Sequence, residues 1–334
     1  MPLANANMDA PPKIAVIIPC YKVTRHVLGV LAAIDASVTA IYCVDDACPE
    51  GSGALVQAQA QDPRITVLFH EVNRGVGGAI KTGYRAAIAD GMDILVKVDG
   101  DGQMDPALLM DFVAPIADGQ ADYTKGNRFW NLTHIRRMPP LRRVGNLLLS
   151  FMTKASSGYW QVFDPTNGYT AIHARVASHL KLDAISDRYF FETDMLFRLN
   201  TVRAVVQDVA MDARYADETS NLRISRILGE FAFKHARNTL KRIGYNYFLR
   251  DLSIASLELI AGSVLLGFSA VFGLYHWTQS AAADVATPVG TIMIATVALI
   301  SGLQFLLAFV GFDIASVPRQ VLHRSIKVNR QPAG

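Results

Sequence analysis

Cysteine is scarce in this chain: three residues among 334, Cys20, Cys43 and Cys48, with no Cys-x-x-Cys pair. That argues against a disulfide-stapled scaffold or a thiolate metal site and leaves the thiols as small core residues. A strong charge bias is also missing. The net charge is only +3, so no nucleic-acid partner is expected. Residues 1–12 show no basic stretch leading into an apolar core. No signal peptide is expected there, only a flexible tail. Two phosphate-binding signatures are absent as well. Asn73–Gly78 is glycine-rich, but Ile80 stands where a dinucleotide fingerprint needs its last Gly or Ala, and no Gly-Lys-Ser/Thr follows for a Walker loop.

Long uncharged apolar stretches are lacking up to residue 252 and then come twice, at 253–277 and 289–315. Either can cross a hydrocarbon core of about 30 Å. Glu258 is the exception in the first, and Asp313 marks the end of the second. The connecting Thr278–Pro288 has no Lys or Arg. The flanks have Arg223, Arg226, Lys234, Arg237, Lys241, Arg242 and Arg250 before, and Arg319, Arg324, Lys327 and Arg330 after. By the positive-inside rule both ends are cytoplasmic, around a short external hairpin. Within 221–252, Ile224, Leu228 and Phe231 recur at i, i+4 and i+7. This predicts a basic amphipathic helix lying on anionic headgroups. Two spans are too few for a polysaccharide channel in one chain, which argues against a processive synthase. Paired or fourfold packing of such hairpins would make a homo-oligomer.

From Lys13 to about residue 125 the pattern alternates between strand and helix. Strands are predicted at Ile14–Ile18, Ala40–Val44, Ile65–His70 and Ile94–Val98, with helices over 23–35, 52–61 and 78–90. Such βαβα alternation predicts an α/β fold with a mostly parallel sheet covered on both faces. Three strands run into polar or glycine-rich loops: Asp45-Asp46, Asn73–Gly78 and Asp99–Gln103. In open α/β sheets such loops converge at the carboxyl edge, where ligands bind.

Asp99-Gly100-Asp101 is the sharpest of the three. Two carboxylates one glycine apart suit a hard divalent cation, Mg²⁺ or Mn²⁺, whose shell phosphate oxygens complete. Gln103 is a further contact candidate. Asp45 and Asp46 stand where an acid accepts hydrogen bonds from a ribose or base, or simply caps a helix. Gly78 and Lys81, at the glycine-rich helix entry, could face donor phosphate or base. Arg128, Arg136, Arg137, Arg142 and Arg143 cluster in sequence, and guanidinium groups suit phosphate. Asp164–Tyr169 reads as a turn, and Glu192-Thr193-Asp194 as an acidic helix start.

Together these residues resemble family 2 glycosyltransferases of the GT-A fold. The likeness is to the dolichol- and polyprenyl-phosphate sugar transferases, including GtrB-like and ArnC-like enzymes. The shared pattern runs Ile17-Ile18-Pro19-Cys20-Tyr21, Val44-Asp45-Asp46, Asn73-x-Gly75, Asp99-Gly100-Asp101-Gly102-Gln103, Gly126-Asn127-Arg128, Asp164 to Gly168-Tyr169, and Arg214 with Ser220. The resemblance implies a GT-A catalytic domain over 13–220, juxtamembrane helices over 221–252, a membrane hairpin over 253–315 and a cytoplasmic tail over 316–334. Pro19, Tyr21 and Asp46 would seat the nucleotide. Asp99, Asp101 and Gln103 would hold metal and diphosphate. Arg128, an arginine at 142 or 143, and Arg214 would meet phosphate, with Ser220 beside them at the acceptor. Asp164, then Asp194, would be the candidate catalytic acids. Lys22-Val23 and Cys48 depart from the family's usual residues, which leaves the choice between a UDP- and a GDP-linked donor open.

The expected reaction moves a sugar from a nucleotide sugar to a polyprenyl phosphate, with inversion, at a bacterial inner membrane and for the cell envelope. A phosphate monoester, with a second pKa of about 6, is already largely ionised at neutral pH and needs little help from a base. Another acceptor, or a metal-dependent nucleotidyltransferase, is the alternative. The latter would release pyrophosphate rather than a nucleoside diphosphate.

Overall fold

The computed structural model describes residues 11–130, 140–212 and 224–326. These resolve into two compact units: one of residues up to Asn238 together with those from Pro318 onward, the other Thr239–Val317.

The first unit is built on one seven-stranded sheet. Its strands are β1 (Ile14–Cys20), β2 (Ala40–Asp45), β3 (Ile65–Phe69), β4 (Ile94–Lys97), β5 (Tyr123–Asn127), β6 (Thr170–His173) and β7 (Val206–Ala210), in the order β3-β2-β1-β4-β6-β5-β7. The β3-β2-β1-β4 half is parallel, β6 runs antiparallel to both its neighbours, and β7 is parallel to β5. The predicted strands are present, shifted by one or two residues. β1, β2 and β4 are apolar on both faces because helices cover both sides. Those helices include α1 (Val27–Ala32), α2 (Ser52–Gln59), α3 (Val76–Ala89) and α4 (Leu109–Ala117). Pro19 is tolerated inside β1 because β4 stops pairing at Ile17 opposite Lys97, so no ladder bond on that side is lost.

Three further helices belong to this unit: α5 (Pro140–Ser157), α6 (Ala174–His179) and α7 (Phe191–Thr201). The helix α8 (Ile224–Gly244) begins here. The sequence predicted its apolar stripe for a membrane surface. Of that stripe, Phe231 packs edge-on against Phe190, with ring centroids 5.3 Å apart. His235 and Asn238, both buried, bond Ser156 and Asp194. This stretch of α8 is therefore a packed helix of the catalytic unit, because its polar residues meet partners there. The chain also returns after Val317: the buried carboxylate of Asp122 accepts the backbone N–H groups of Leu322 and His323, each at 2.8 Å, and bonds His323 Nδ1.

The second unit consists of the end of α8, a π-helical turn at Tyr245–Leu249, and the helices α9 (Ile254–Ala282) and α10 (Val289–Ala315). Both long helices are apolar enough to cross a membrane, and only 11% and 17% of their most apolar stretches are buried. A soluble core helix would be mostly buried. They pack through small residues: a Cβ on Gly302 would come within 3.0 Å of the Leu266 backbone. Arg242 Nη2 donates to Asp313 Oδ2 at 2.9 Å, and Tyr247 donates to Oδ1 at 2.6 Å. This satisfies the acid that ends α10.

Candidate active site

Parallel β2, β1 and β4 present their carboxyl ends on one edge of the sheet. β5, antiparallel to β6, ends on that same edge, and β6, antiparallel to β4, begins there. The edge therefore gathers Pro19–Tyr21, Asp45-Asp46, Asp99–Gln103, Asn127-Arg128 and the Asp164–Tyr169 turn. Loops far apart in the chain meet because the sheet folds them together, as the alternation predicted for Asp45-Asp46 and Asp99–Gln103.

Asp99 lies at the centre. Its Oδ1 is buried and is 3.0 Å from Lys97 Nζ, yet no donor is aligned to hydrogen-bond it. Asp101 Oδ1 accepts the Gln103 N–H at 2.9 Å, which fixes the loop. Among the described residues no cluster of three or more His, Cys, Asp or Glu could hold a metal unaided. Two carboxylates, one with an unmatched oxygen, fit a divalent cation whose remaining ligands come from a diphosphate. Gly168 borders this loop. A Cβ there would collide with Lys97 Nζ and lie 2.8 Å from Asp99 Oδ2. Only glycine lets the turn come this close.

Beneath the loop is a charge network that the sequence reading did not single out. Lys97 is 1% exposed and also pairs with Glu192 at 3.2 Å. Burial opposes its charge, but Asp99 and Glu192 raise its pKa above the usual lysine value. Lys125, also buried, donates to the Asn167 carbonyl. Burial pulls its ammonium down to about 8, against the pull of Glu192 and Asp164. Burial likewise pushes Asp208 up to about 6, and its Oδ1 has no hydrogen-bond partner. The available signal was the lysine inside the apolar run Ile94–Val98.

The expected site residues divide into two groups. Tyr21 is 43% exposed at the edge, beside Pro19, with Lys22 Nζ 5.6 Å from its ring centroid. Arg128 Nε donates to Asp164 Oδ2 at 2.7 Å, and its Nη2 to Oδ1 at 3.1 Å. Asp164 is fully buried; burial would raise its pKa, but Arg128 and Lys125 outweigh this and hold it below the ordinary carboxylate range. It orients Arg128.

The others have partners within their own loops. Asp45 accepts the N–H groups of Cys48 and Gly53 at 2.7 and 2.6 Å, so it caps α2. Asp46 accepts from Arg74 N and Gly75 N at 2.8 and 2.7 Å and bonds His70 Nδ1. It thereby shapes the glycine loop, where Gly75 takes a φ of 89°. The Gly78 N–H donates to the Asp187 carbonyl at 3.2 Å, and the buried Lys81 donates to the Ile185 carbonyl at 2.8 Å and pairs with Asp187. Each of these four builds its own loop through internal bonds. Asp194, buried, accepts from Ser186 N at 2.9 Å and from Asn238 at 3.1 Å, which ties α7 to its neighbours. Arg143 is on α5. Arg136, Arg137, Arg214 and Ser220 lie outside the described residues, as does the side chain of Arg142.

The family profile described as Glycosyl transferase family 2 matches residues 15–181. The undecaprenyl-phosphate mannosyltransferase of Micrococcus luteus is 30% identical over 190 residues, covering 56% of this chain and 77% of that protein. The UDP-N-acetylglucosamine–dolichyl-phosphate N-acetylglucosaminyltransferase of Methanococcus voltae is 29% identical over 191 residues, 57% of this chain and 70% of that one. Among solved structures, glucosyl-3-phosphoglycerate synthase from Mycobacterium tuberculosis with UDP overlays with a TM-score of 0.51 at 18% identity, over 70% of this chain and 80% of that one, which is a likeness of fold. A mostly parallel sheet, the profile match and these relatives agree: the chain is a glycosyltransferase and belongs to glycosyl transferase family 2.

Proposed function

We propose that this protein transfers a sugar from a UDP- or GDP-linked donor to a polyprenyl phosphate, with inversion. The observation that carries this is the meeting of the Asp99–Asp101 loop and the Asp164-held Arg128 on one sheet edge, in a chain with two membrane-length helices. Relatives named for undecaprenyl phosphate and dolichyl phosphate support the acceptor class.

In the reaction a phosphate oxygen of the acceptor attacks the anomeric carbon. A C–O bond forms there, the bond to the diphosphate breaks, and the nucleoside diphosphate leaves with the electron pair. Asp99 and Asp101 would hold Mg²⁺ or Mn²⁺, which supplies charge neutralisation for the leaving diphosphate. The fold relative crystallised with Mn²⁺ and UDP supports that reading of the loop. Tyr21 stacks on the base. Arg128, held by Asp164, pairs with phosphate. The incoming oxygen already carries negative charge, so neither Asp164 nor Asp194 is assigned as a base; their internal bonds support that.

In this reading the enzyme works at a bacterial inner membrane with the catalytic unit and both ends cytoplasmic. Two observations support this: the basic flanks, and the return of residues after Val317 to the catalytic unit at Asp122. Hairpin packing between copies would give a homo-oligomer.

The test incubates the full chain in membranes with undecaprenyl phosphate, Mn²⁺ or Mg²⁺ and a panel of nucleotide sugars. A lipid-linked sugar by mass, with release of nucleoside diphosphate, is expected. No lipid product from any donor, or pyrophosphate release, overturns the proposal.

A further inference from the structure

One rung of the sheet, just below the active edge, is polar. Lys97 of β4 and Lys125 of β5 are both in register with Thr170 of β6 between them, and Lys125 is in register with Asp208 of β7. Residues opposite each other on neighbouring strands share a face, so Lys97, Thr170, Lys125 and Asp208 form one row across four strands. All but Asp208 are at most 1% exposed. Each charged member of the row meets the same segment, Phe163–Gly168. Asp208 Oδ2 accepts the Phe163 N–H at 3.0 Å. Lys125 Nζ donates to the carbonyl of Asn167, a residue 3% exposed. Lys97 Nζ occupies the space that a Cβ on Gly168 would need. The turn is thus seated at three points within six residues. Buried charge is unfavourable unless matched, and a row of it under a single turn marks a place where local consistency is given up for position.

We propose that Lys125 is a positioning residue for the transfer: by holding the Asn167 carbonyl it fixes the height at which Asp164 presents Arg128 to the acceptor phosphate. The link between the two ends of the turn is short. The Asn167 N–H donates to the Asp164 carbonyl at 3.4 Å, and the Asp164 carboxylate accepts from Arg128 Nε at 2.7 Å and Nη2 at 3.1 Å. Asn167 is also fixed from its other side, since its Oδ1 accepts the Tyr169 N–H at 2.9 Å. Lys125 and Arg128, three residues apart at the end of β5, therefore grip one turn from below and from above. Without the ammonium the Asn167 carbonyl loses its donor in a buried place, and the turn must shift to find another. Arg128 shifts with it, because Asp164 is part of the same turn. Lys125 itself is buried beneath the turn and acts only through it. The inference rests on the reading of Arg128 as the ligand of the lipid phosphate and deepens it.

The experiment is a double-mutant cycle on the full chain in lipid nanodiscs, read as the Kd for undecaprenyl phosphate and as the KM for each substrate. Lys125→Met should raise the Kd and the KM for undecaprenyl phosphate about tenfold, the factor that a hydrogen bond from a charged group is worth. The KM for nucleotide sugar should stay unchanged. In an Arg128→Ala background the same change should cost no more than about twofold, because the group it positions is gone. Lys125→Gln keeps an N–H donor without the charge and should recover part of the loss, which separates the contact from a failure to fold. An equal loss in both backgrounds overturns the proposal. So does a rise in both KM values together, which marks a general structural role, or an unaltered Kd in Lys125→Met. If undecaprenyl phosphate binds and the two residues are coupled while no donor yields a lipid-linked sugar, the transfer reading fails and the positioning role stands. Lipid-linked sugar formed equally well by Lys125→Met gives the reverse, and no binding of undecaprenyl phosphate by the wild type overturns both.

Discussion

The two units of the molecule bury opposite things. In the catalytic unit the interior holds ions among the apolar side chains: Lys97, Lys125, Asp122 and Asp164 are each at most 1% exposed. In the hairpin unit the large apolar groups face outward. Phe268, Leu274, Ile292 and Leu307 are 46% to 69% exposed, while Ala255, Gly262, Ser269, Ala298 and Gly302 are inside. Both obey one rule under different solvents. In water, apolar groups go inside, and any ion that joins them must be matched by a partner. In lipid, apolar groups gain nothing by meeting each other, so helices associate where small residues let backbones approach. The buried ion pair Arg242–Asp313 stands at the cytoplasmic end of α10 in the proposed topology, where water gives way to hydrocarbon.

The strongest way to break this comparison is to remove one half of that pair. Arg242→Met leaves Asp313 buried without the guanidinium that pairs with it. Loss of one partner of a buried pair costs about 3–5 kcal/mol, so detergent-solubilised protein should lose stability by that order in thermal unfolding. The double change Arg242→Met with Asp313→Leu should recover most of the loss. If the single variant melts like the wild type, the pair does not secure the end of the hairpin.

On the catalytic side the equivalent test is chemical. Asp99→Asn keeps the size of the side chain and removes one of the two charges proposed to hold the metal. Loss of a group aimed at developing charge costs on the order of 10²–10³ in rate. Product formation should fall by that factor, and Mn²⁺ binding by titration calorimetry should weaken with it, while the melting temperature stays put. Unchanged Mn²⁺ binding would move the metal elsewhere.

How far the sequence revealed all this depends on the kind of interaction. β1 to β4 were legible because a parallel strand buried on both faces is a plain apolar run. β6 was not: Thr170–His173 is four residues long, and its antiparallel place between β4 and β5 is decided by pairing across more than 40 residues. Asp99 and Asp101 were legible as a polar break at a strand end. For Asp45, Asp46 and Lys81 the polar chemistry was legible but the loop partners were not, because a carboxylate or amine at a loop can serve a ligand, its own backbone or both. Only the fold puts Gly53 N–H at Asp45 and the Ile185 carbonyl at Lys81. Lys97 was a visible break in an apolar strand, a signal that local consistency had been given up for a site, but its partner Glu192 lies 95 residues away.

A smaller effect tests how well the buried ions are matched. Asp208 has its pKa pushed up to about 6, chiefly by burial. The folded state then holds a proton between roughly pH 4 and 6 that the unfolded chain releases. Stability should therefore fall as pH rises through that window, by up to about 3 kcal/mol for a shift of roughly two pKa units. Asp208→Asn should flatten that part of the stability–pH curve, read by urea unfolding at a series of pH values. An unchanged slope would mean that Asp208 ionises normally and that the interior is wetter than its burial implies.

The smallest expected effect sharpens the comparison most, because it concerns an ion whose role is to hold another ion. Lys97 stands between Asp99 and Glu192, and Lys97→Met leaves two partly buried carboxylates on the same neutral side chain. Asp99 would lose the charge that fixes its orientation. Changes to a group that orients a metal ligand typically cost 10–100-fold in metal affinity, so the Kd for Mn²⁺ should rise by about that factor. Lys97→Arg should restore part of it, since a cation returns in a larger, less well-fitted form. Glu192→Gln keeps the Lys97–Asp99 contact and should change Mn²⁺ affinity far less than Lys97→Met. If Lys97→Met and Glu192→Gln weaken Mn²⁺ equally, the network acts as a single packed unit and Lys97 has no separate hold on Asp99. If Lys97→Met instead tightens Mn²⁺, the ammonium competes with the metal for Asp99, and the buried ions of the catalytic unit oppose its chemistry rather than prepare it.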